Sequence, residues 1–264
     1  MKRPYYGGQA VMEGVVMQGP EGKAIACRKS NGEIVCKTTE KRSLKKKYPI
    51  LSKPILRGFI SFLESMAGGI RDITWSAAHL DENASETIGT KELVITITLA
   101  FIIAMGLFVA LPVFLANFAY PYIGDFGRSL FEGILRGGFF ILYIVLISRL
   151  EDIKRLFSYH GAEHKTISTY ESGKKLTVDN ARPFSTIHPR CGTSFILMAM
   201  ILMIVIFTFV GRTDAVTRIF IKIALLPLVA GVSYELYRLP LYFPNSILVK
   251  MLVAPGLWLQ KITT

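Results

Sequence analysis

The feature that most constrains the fold is a long apolar run in the first half of the chain. From Leu93 to Gly124, 32 consecutive residues contain no Asp, Glu, Lys or Arg. A helix needs only about 20 apolar residues to cross the hydrocarbon core of a bilayer. Hydrophobic residues make up 51% of the chain, and the mean hydropathy is +0.41. The composition therefore predicts an integral membrane protein rather than one or two soluble domains.

The apolar segments predict about four membrane-spanning helices. They lie within residues 92–118, 129–148, 191–211 and 217–238. Glu132 and Arg136 are four residues apart, so we expect them to neutralise each other near the outer end of the second span. The predicted fold class is mainly α: a polytopic α-helical membrane protein with about four transmembrane helices, interfacial amphipathic helices and a small N-terminal β-hairpin unit.

The chain divides into six predicted regions. They are a basic cytoplasmic β-hairpin region (1–53), an interfacial amphipathic helix (54–90), the first two transmembrane helices (91–148), a cytoplasmic loop (149–193), the third and fourth transmembrane helices (194–238) and an interfacial C-terminal tail (239–264).

The charge distribution predicts how the chain is oriented in the membrane. The net charge is +12, and residues 1–54 contain twelve Lys or Arg against four Glu. Such basic segments stay on the cytoplasmic side and are attracted to anionic lipid heads. With four spans, both termini and the 149–193 loop share this side. We expect no signal peptide and, without an RNA-binding motif, no specific nucleic acid partner.

Two features of the N-terminal region are open between a structural and a functional role. Asn31-Gly32 predicts a two-residue turn in a β unit at residues 5–39, which would set Cys27 opposite Cys36. These thiols are either a redox or metal pair or two small side chains of a reduced hairpin. The glycine-rich stretch around Glu13 either forms a turn with a solvated acid or supplies a carboxylate to a site.

The candidate site is centred on His160-Gly161-Ala162-Glu163-His164, an H-x-x-E-H motif. Residues three and four apart share one face of a helix, so both imidazoles and the carboxylate would project together. Two imidazoles can bind one divalent cation, and the Glu can take a proton from water bound to that ion. The alternative is a polar helix end that faces water.

Other candidate ligands follow the predicted topology to the same membrane edge. His188 and Cys191 precede the third span, and Glu235 lies near the inner end of the fourth. We predict all three as further metal ligands, with pairing to Arg238 as the alternative for Glu235. Zinc best fits imidazole, thiolate and carboxylate ligands together. Arg190 is predicted to stabilise negative charge that develops during a reaction.

Five motifs resemble those of the YqhQ family of bacterial membrane proteins, and the similarity covers nearly the whole chain. They are Gly8–Val15, Tyr159–Thr166, His188–Ser194, Val229–Glu235 and Pro255–Gln260. The resemblance implies a location in the bacterial cell membrane. The family is known as a domain of unknown function and is sometimes labelled a predicted metal-dependent enzyme, so the resemblance adds little about the reaction.

Three functions are compatible with these features. The first is a zinc-dependent hydrolase that acts at the cytoplasmic membrane interface on a membrane peptide or a lipid-linked group, with Glu163 activating water. The second is a non-catalytic scaffold or assembly factor in which the same residues form a closed metal site. The third, a transporter, is disfavoured because the first span is uncharged and no inverted repeat is visible. We favour the hydrolase.

Overall fold

The fold combines a small antiparallel sheet with a larger set of helices. The computed structural model describes residues 4–40, 44–80, 89–210, 213–243 and 245–264. The strands are β1 (Gly7–Val11), β2 (Gly14–Gln18), β3 (Gly22–Arg28) and β4 (Ile34–Glu40), paired in the order β1-β2-β3-β4. The helices are α1 (Leu44–Lys47), α2 (Leu56–Ala77), α3 (Thr90–Met105), α4 (Leu111–Ile147), α5 (Glu151–Glu171), α6 (Val178–Ala181), α7 (Gly192–Thr208), α8 (Ala215–Tyr237), α9 (Leu239–Tyr242) and α10 (Ile247–Thr263). The predicted mainly α class with an N-terminal β unit is confirmed.

Three helical segments are long and apolar enough to cross a membrane. They are Lys91–Ala119, Phe126–Ile147 and Val216–Tyr242. The first two are separated inside α4 by a kink at Gly124, where φ is 64°, a value that glycine adopts without strain. Helix α7 is also apolar, but its 17 residues extend only about 26 Å, less than the bilayer core of about 30 Å. Length and composition thus support three of the four predicted spans.

The hairpin between β3 and β4 differs from the predicted one by one residue. The connection is longer than the predicted two-residue turn, and Lys29 N donates to Glu33 O at 2.8 Å. Cys27 therefore pairs with Val35 instead of Cys36. Because a one-residue shift moves a side chain to the opposite face, Cys27 is buried and Cys36 is exposed. The predicted pairing of the two thiols is wrong.

The sheet lies between α2 and α5. One face forms a core with Trp75 of α2, and its buried members are Val11, Val16, Ile25 and Cys27.

At the turn after β1, the Glu13 carboxylate accepts hydrogen bonds from Arg155 at 2.6 Å and from Tyr159 at 3.2 Å, both on α5. The Arg155 hydrogen bond holds the pKa of Glu13 below its usual value. Glu13 thus fixes the turn after β1 to α5 through an ion pair and a hydrogen bond.

A buried charged cluster joins the candidate spans. The predicted pair is present, with Arg136 Nη2 lying 2.8 Å from Glu132 Oε1. From α8, Lys222 binds the same oxygen, and Arg218 Nε lies 3.4 Å from Glu132 Oε2. All four side chains are at most 6% exposed. Arg136 also donates to the Phe108 carbonyl at 2.7 Å, in the π-helical turn that separates α3 from α4. Three helical segments are therefore held around one carboxylate.

Candidate metal centre

The H-x-x-E-H motif lies on one face of α5, as its spacing predicts. This helix runs from Glu151 to Glu171, so much of the region predicted as a 149–193 loop is helical. The ring centroids of His160 and His164 are 4.4 Å apart. One helical turn therefore brings the two imidazoles together without help from any distant segment.

Cys191 joins the two histidines from a different part of the chain. It is the N-cap residue of α7, where its Sγ accepts the Thr193 N–H at 3.4 Å. The same sulfur lies 3.1 Å from His160 Nε2. Ligand atoms of His160, His164 and Cys191 all lie within 4.8 Å of one another. Neighbouring ligands of one zinc ion are about 3.5 Å apart, so a small inward movement of the side chains lets all three bind one ion.

Backbone carbonyls fix the direction of both imidazoles. His160 Nδ1 lies 2.8 Å from Thr263 O, and His164 Nδ1 contacts Thr186 O. Since a carbonyl only accepts, each Nδ1 carries the proton and each Nε2 presents a lone pair. Metal-binding histidines usually donate their other N–H in this way, which fixes the ring orientation. Two such nitrogens and a thiolate form a donor set that suits zinc.

Glu163 is buried beside this group. Its Oε2 lies 3.5 Å from His164 Nε2, and the residue is 3% exposed. Gly8 of β1 approaches so closely that a Cβ at that position would collide with the carboxylate. Burial raises the pKa of Glu163 to about 7, and the electrostatic interaction with the neighbouring His160 imidazole partly opposes this rise. The carboxyl therefore changes its protonation near neutral pH.

His188 is separated from this group by its own hydrogen bonds. Its ring centroid lies 5.8 Å from that of His164. Its Nδ1 accepts the Arg190 N–H at 3.3 Å, and its Nε2 lies 3.4 Å from a Glu171 oxygen. Burial, assisted by the electrostatic interaction with the His164 imidazole, lowers the pKa of His188 to about 4, so the ring is neutral with its proton on Nε2. Both nitrogens are occupied, and the geometry does not support the predicted ligand role.

Arg190 and Glu235 form ion pairs outside the ligand group. Arg190 pairs with Glu171, and its Cζ lies 4.7 Å from the centroid of the Tyr5 ring. Glu235 accepts two hydrogen bonds from Arg57 of α2, at 2.7 and 2.5 Å. Each charge is thus balanced by a partner that the sequence did not predict. The structure does not bring Glu235 to the histidines, and it directs Arg190 to a carboxylate.

Sequence reasoning missed the contribution of α10. The Gln260 side chain is fully buried and accepts the His188 N–H at 2.8 Å. It also donates to His188 O at 2.9 Å and to Ser194 Oγ at 3.2 Å. Gln260 therefore fixes both sides of the turn that carries Cys191. The available signal was the family resemblance, since Gln260 and Ser194 both lie in motifs that carry it.

Gln260→Ala is expected to lower the free energy of unfolding by about 1–3 kcal/mol, because it leaves buried backbone groups of His188 without partners. We also expect zinc affinity to fall on the order of tenfold, since Cys191 is then less well positioned. Unfolding by SDS in mixed micelles and a competitive zinc titration measure the two effects. Gln18→Ala removes an exposed glutamine of β2 and is the matched control. Equal losses in both variants would contradict the role of Gln260.

The fold and the site define a helical protein with candidate membrane-spanning segments and a histidine–cysteine group at the end of an apolar helix. The chain belongs to the family described as "protein of unknown function (DUF1385)", whose sequence model matches residues 53–264. It is 33% identical over 275 residues to the uncharacterized protein YqhQ of Bacillus subtilis (strain 168). The aligned region covers 99% of this chain and 86% of that protein. The predicted family resemblance is confirmed. No solved structure matches the chain.

Proposed function

We propose that this protein is a zinc-dependent hydrolase of the bacterial cytoplasmic membrane. The observation that carries the proposal is the grouping of His160, His164 and Cys191 beside the buried carboxyl of Glu163. Among the described residues, His160, His164 and Cys191 each offer one ligand atom to this site, which gives three protein ligands. Three protein ligands leave one position of a tetrahedral ion for water or substrate, which is typical of catalytic zinc, whereas structural zinc has four.

The chemistry follows from the donors around the group. A zinc ion would supply Lewis acidity to a substrate carbonyl or to water. Glu163 takes one proton from water as the water oxygen bonds to the carbonyl carbon. It then gives that proton to the leaving nitrogen or oxygen as the old bond breaks. One water molecule is thus divided between the two products, and the reaction needs no further reactant.

We further propose that the site lies at the cytoplasmic surface of the membrane. Cys191 directly precedes the apolar α7, and counting α7 as a fourth span puts both termini and α5 on one side. The basic segment 1–54 favours the cytoplasm for that side. Exposed Tyr48 and Ile50, next to Lys47, suit contact with anionic lipid heads. The substrate is then a membrane peptide or a lipid-linked group.

The test of the proposal is Glu163→Gln in the purified full-length protein. The amide has the volume of the carboxyl but cannot accept a proton, so we expect turnover to fall about 10²- to 10⁴-fold. Zinc content is expected to stay unchanged. New amines and acids released from a pool of membrane peptides and phospholipids report turnover, and elemental analysis reports zinc.

Glu151→Gln changes an exposed acid on the same helix and is the matched control, with turnover expected to be unchanged. Undiminished turnover in Glu163→Gln would reject the assigned role. Zinc bound by four protein ligands in X-ray absorption spectra, with no turnover, would favour the non-catalytic scaffold.

A further inference from the structure

Strand β1 is an edge of the sheet and lies against the candidate site. The strand order β1-β2-β3-β4 gives β1 a single partner among the described strands. One side of its backbone therefore has no strand partner among the described residues. An exposed strand edge can bind an extended polypeptide through main-chain hydrogen bonds.

The hairpin geometry identifies which residues face the open edge. A two-residue turn, Met12-Glu13, closes on Val11 and Gly14, which makes these two a hydrogen-bonded pair. Because bonding alternates along the strand, Gly8 and Ala10 direct their N–H and C=O groups away from β2. The N–H of Met12 follows the same alternation, since it donates to Ser76 Oγ of α2 at 3.2 Å.

The face of this same strand lies against the proposed reactive carboxyl at Gly8. Gly8 lies so close to Glu163 that no side chain fits between them. Gly7 and Gly8 are both exposed, and a Cβ on Gly7 would have no described atom within 4 Å. A chain paired with β1 would lie about 4.8 Å to the side of Gly8 and hence beside Glu163, and neither Gly7 nor Gly8 has a side chain that would hinder its approach.

The edge is also held rigidly at both ends. Before β1, the Tyr6 ring contacts Tyr170 of α5 with centroids 5.0 Å apart. After β1, Glu13 is bound by Arg155 and Tyr159 of the same helix. A strand that is ordered in advance loses less conformational entropy when it binds a ligand.

We propose that β1 binds the substrate as an added strand, and that the substrate is accordingly an extended polypeptide rather than a lipid-linked group. This inference rests on the proposed hydrolase function, because only a hydrolase would make the bound polypeptide a substrate. Binding at the edge of β1 can nevertheless be measured without turnover. Main-chain pairing also explains why the strand presents glycine and alanine: recognition comes from the backbone, and any side-chain preference must come from pockets beside it.

The binding test uses full-length Glu163→Gln in detergent micelles with β-casein, an unfolded polypeptide, as the probe. Amide hydrogen exchange is followed at single residues by mass spectrometry with fragmentation. We expect exchange at Gly8 and Ala10 to slow about tenfold on addition of β-casein. Exchange at Thr38 is expected not to change, because Thr38 faces the outer edge of β4 by the same alternation. No slowing at Gly8 and Ala10 would overturn the proposal.

Two proline variants test the edge itself. Ala10→Pro removes an outward N–H that β2 does not use, and proline is tolerated at such edge positions. We expect it to weaken β-casein binding about tenfold, whereas Thr38→Pro leaves binding unchanged. Equal weakening by both variants would reject β1 as the binding edge. Slowed exchange with phosphatidylglycerol vesicles alone, and none with β-casein, would also reject a polypeptide ligand.

The two proposals fail in different ways. If β-casein slows amide exchange at β1 but the protein holds no zinc and cleaves nothing, the result supports strand addition and rejects the hydrolase. A protein that cleaves β-casein with zinc bound, but shows no protection of β1, would support the hydrolase and reject strand addition.

Discussion

Replacing His160 and His164 together with alanine is expected to reduce the zinc content of the purified protein from about one ion per chain to nearly none. The change removes both Nε2 lone pairs and leaves Cys191 as the remaining member of the group. A single thiolate does not hold zinc against dialysis, because affinity in such sites depends on several ligands acting together. Elemental analysis after dialysis of both proteins against the same zinc concentration measures the loss.

Two other histidines provide matched controls for this experiment. His79 is exposed and stacks on Trp75, with centroids 4.2 Å apart, so His79→Ala should keep its zinc. His188→Ala separates the sequence-based prediction from the structure, because the sequence predicts a ligand and the structure gives both ring nitrogens other partners. We expect His188→Ala to retain zinc. A loss as large as in the double variant would contradict this geometry.

The parts of the site that the sequence predicts are those governed by local spacing. His160, Glu163 and His164 share a helix face because positions three and four apart are neighbours. Cys191 was predicted from chain topology, since it precedes an apolar segment that must begin near the same level as α5. In each case the relevant geometry is fixed by a short stretch of chain or by where a helix begins.

The remaining parts depend on choices between partners that spacing does not encode. Glu235 could have paired along its own helix, but it binds Arg57, 178 residues away in the chain. That choice depends on how closely α2 and α8 cross, and Gly58 lies at one of their close contacts: a Cβ there would lie 2.7 Å from Gly231 O. Similarly, both ring nitrogens of His188 are occupied, since Nε2–H donates to Glu171 and Nδ1 accepts the Arg190 N–H, through a loop that the sequence leaves undefined.

The hairpin shows how small such an error can be. Asn31-Gly32 correctly marks the turn between β3 and β4, but the turn contains more residues than predicted. A difference of one residue in register moves Cys36 from beside Cys27 to the opposite face. The type of turn decides the register of the two strands. It depends on backbone dihedral angles that the turn residues favour but do not determine.

Glu132→Gln is expected to destabilise the protein by about 3–5 kcal/mol, the largest effect on stability that we predict. Glu132 binds Arg136, Arg218 and Lys222 at once, and these side chains are almost fully buried. The neutral amide would leave three buried cations around a group that no longer carries negative charge. Unfolding by SDS in mixed micelles, followed by far-UV circular dichroism, measures the change in free energy.

Lys222→Met distinguishes the charge balance of this cluster from its packing. Methionine fills much of the lysine volume, and Glu132 keeps Arg136 and Arg218 as partners, so we expect a smaller loss than in Glu132→Gln. The double variant Glu132→Gln/Lys222→Met removes one charge of each sign and should recover part of the stability lost in Glu132→Gln, because fewer cations are left without a carboxylate. If the two single losses simply add in the double variant, the side chains act independently, and the cluster does not hold the helices together through charge.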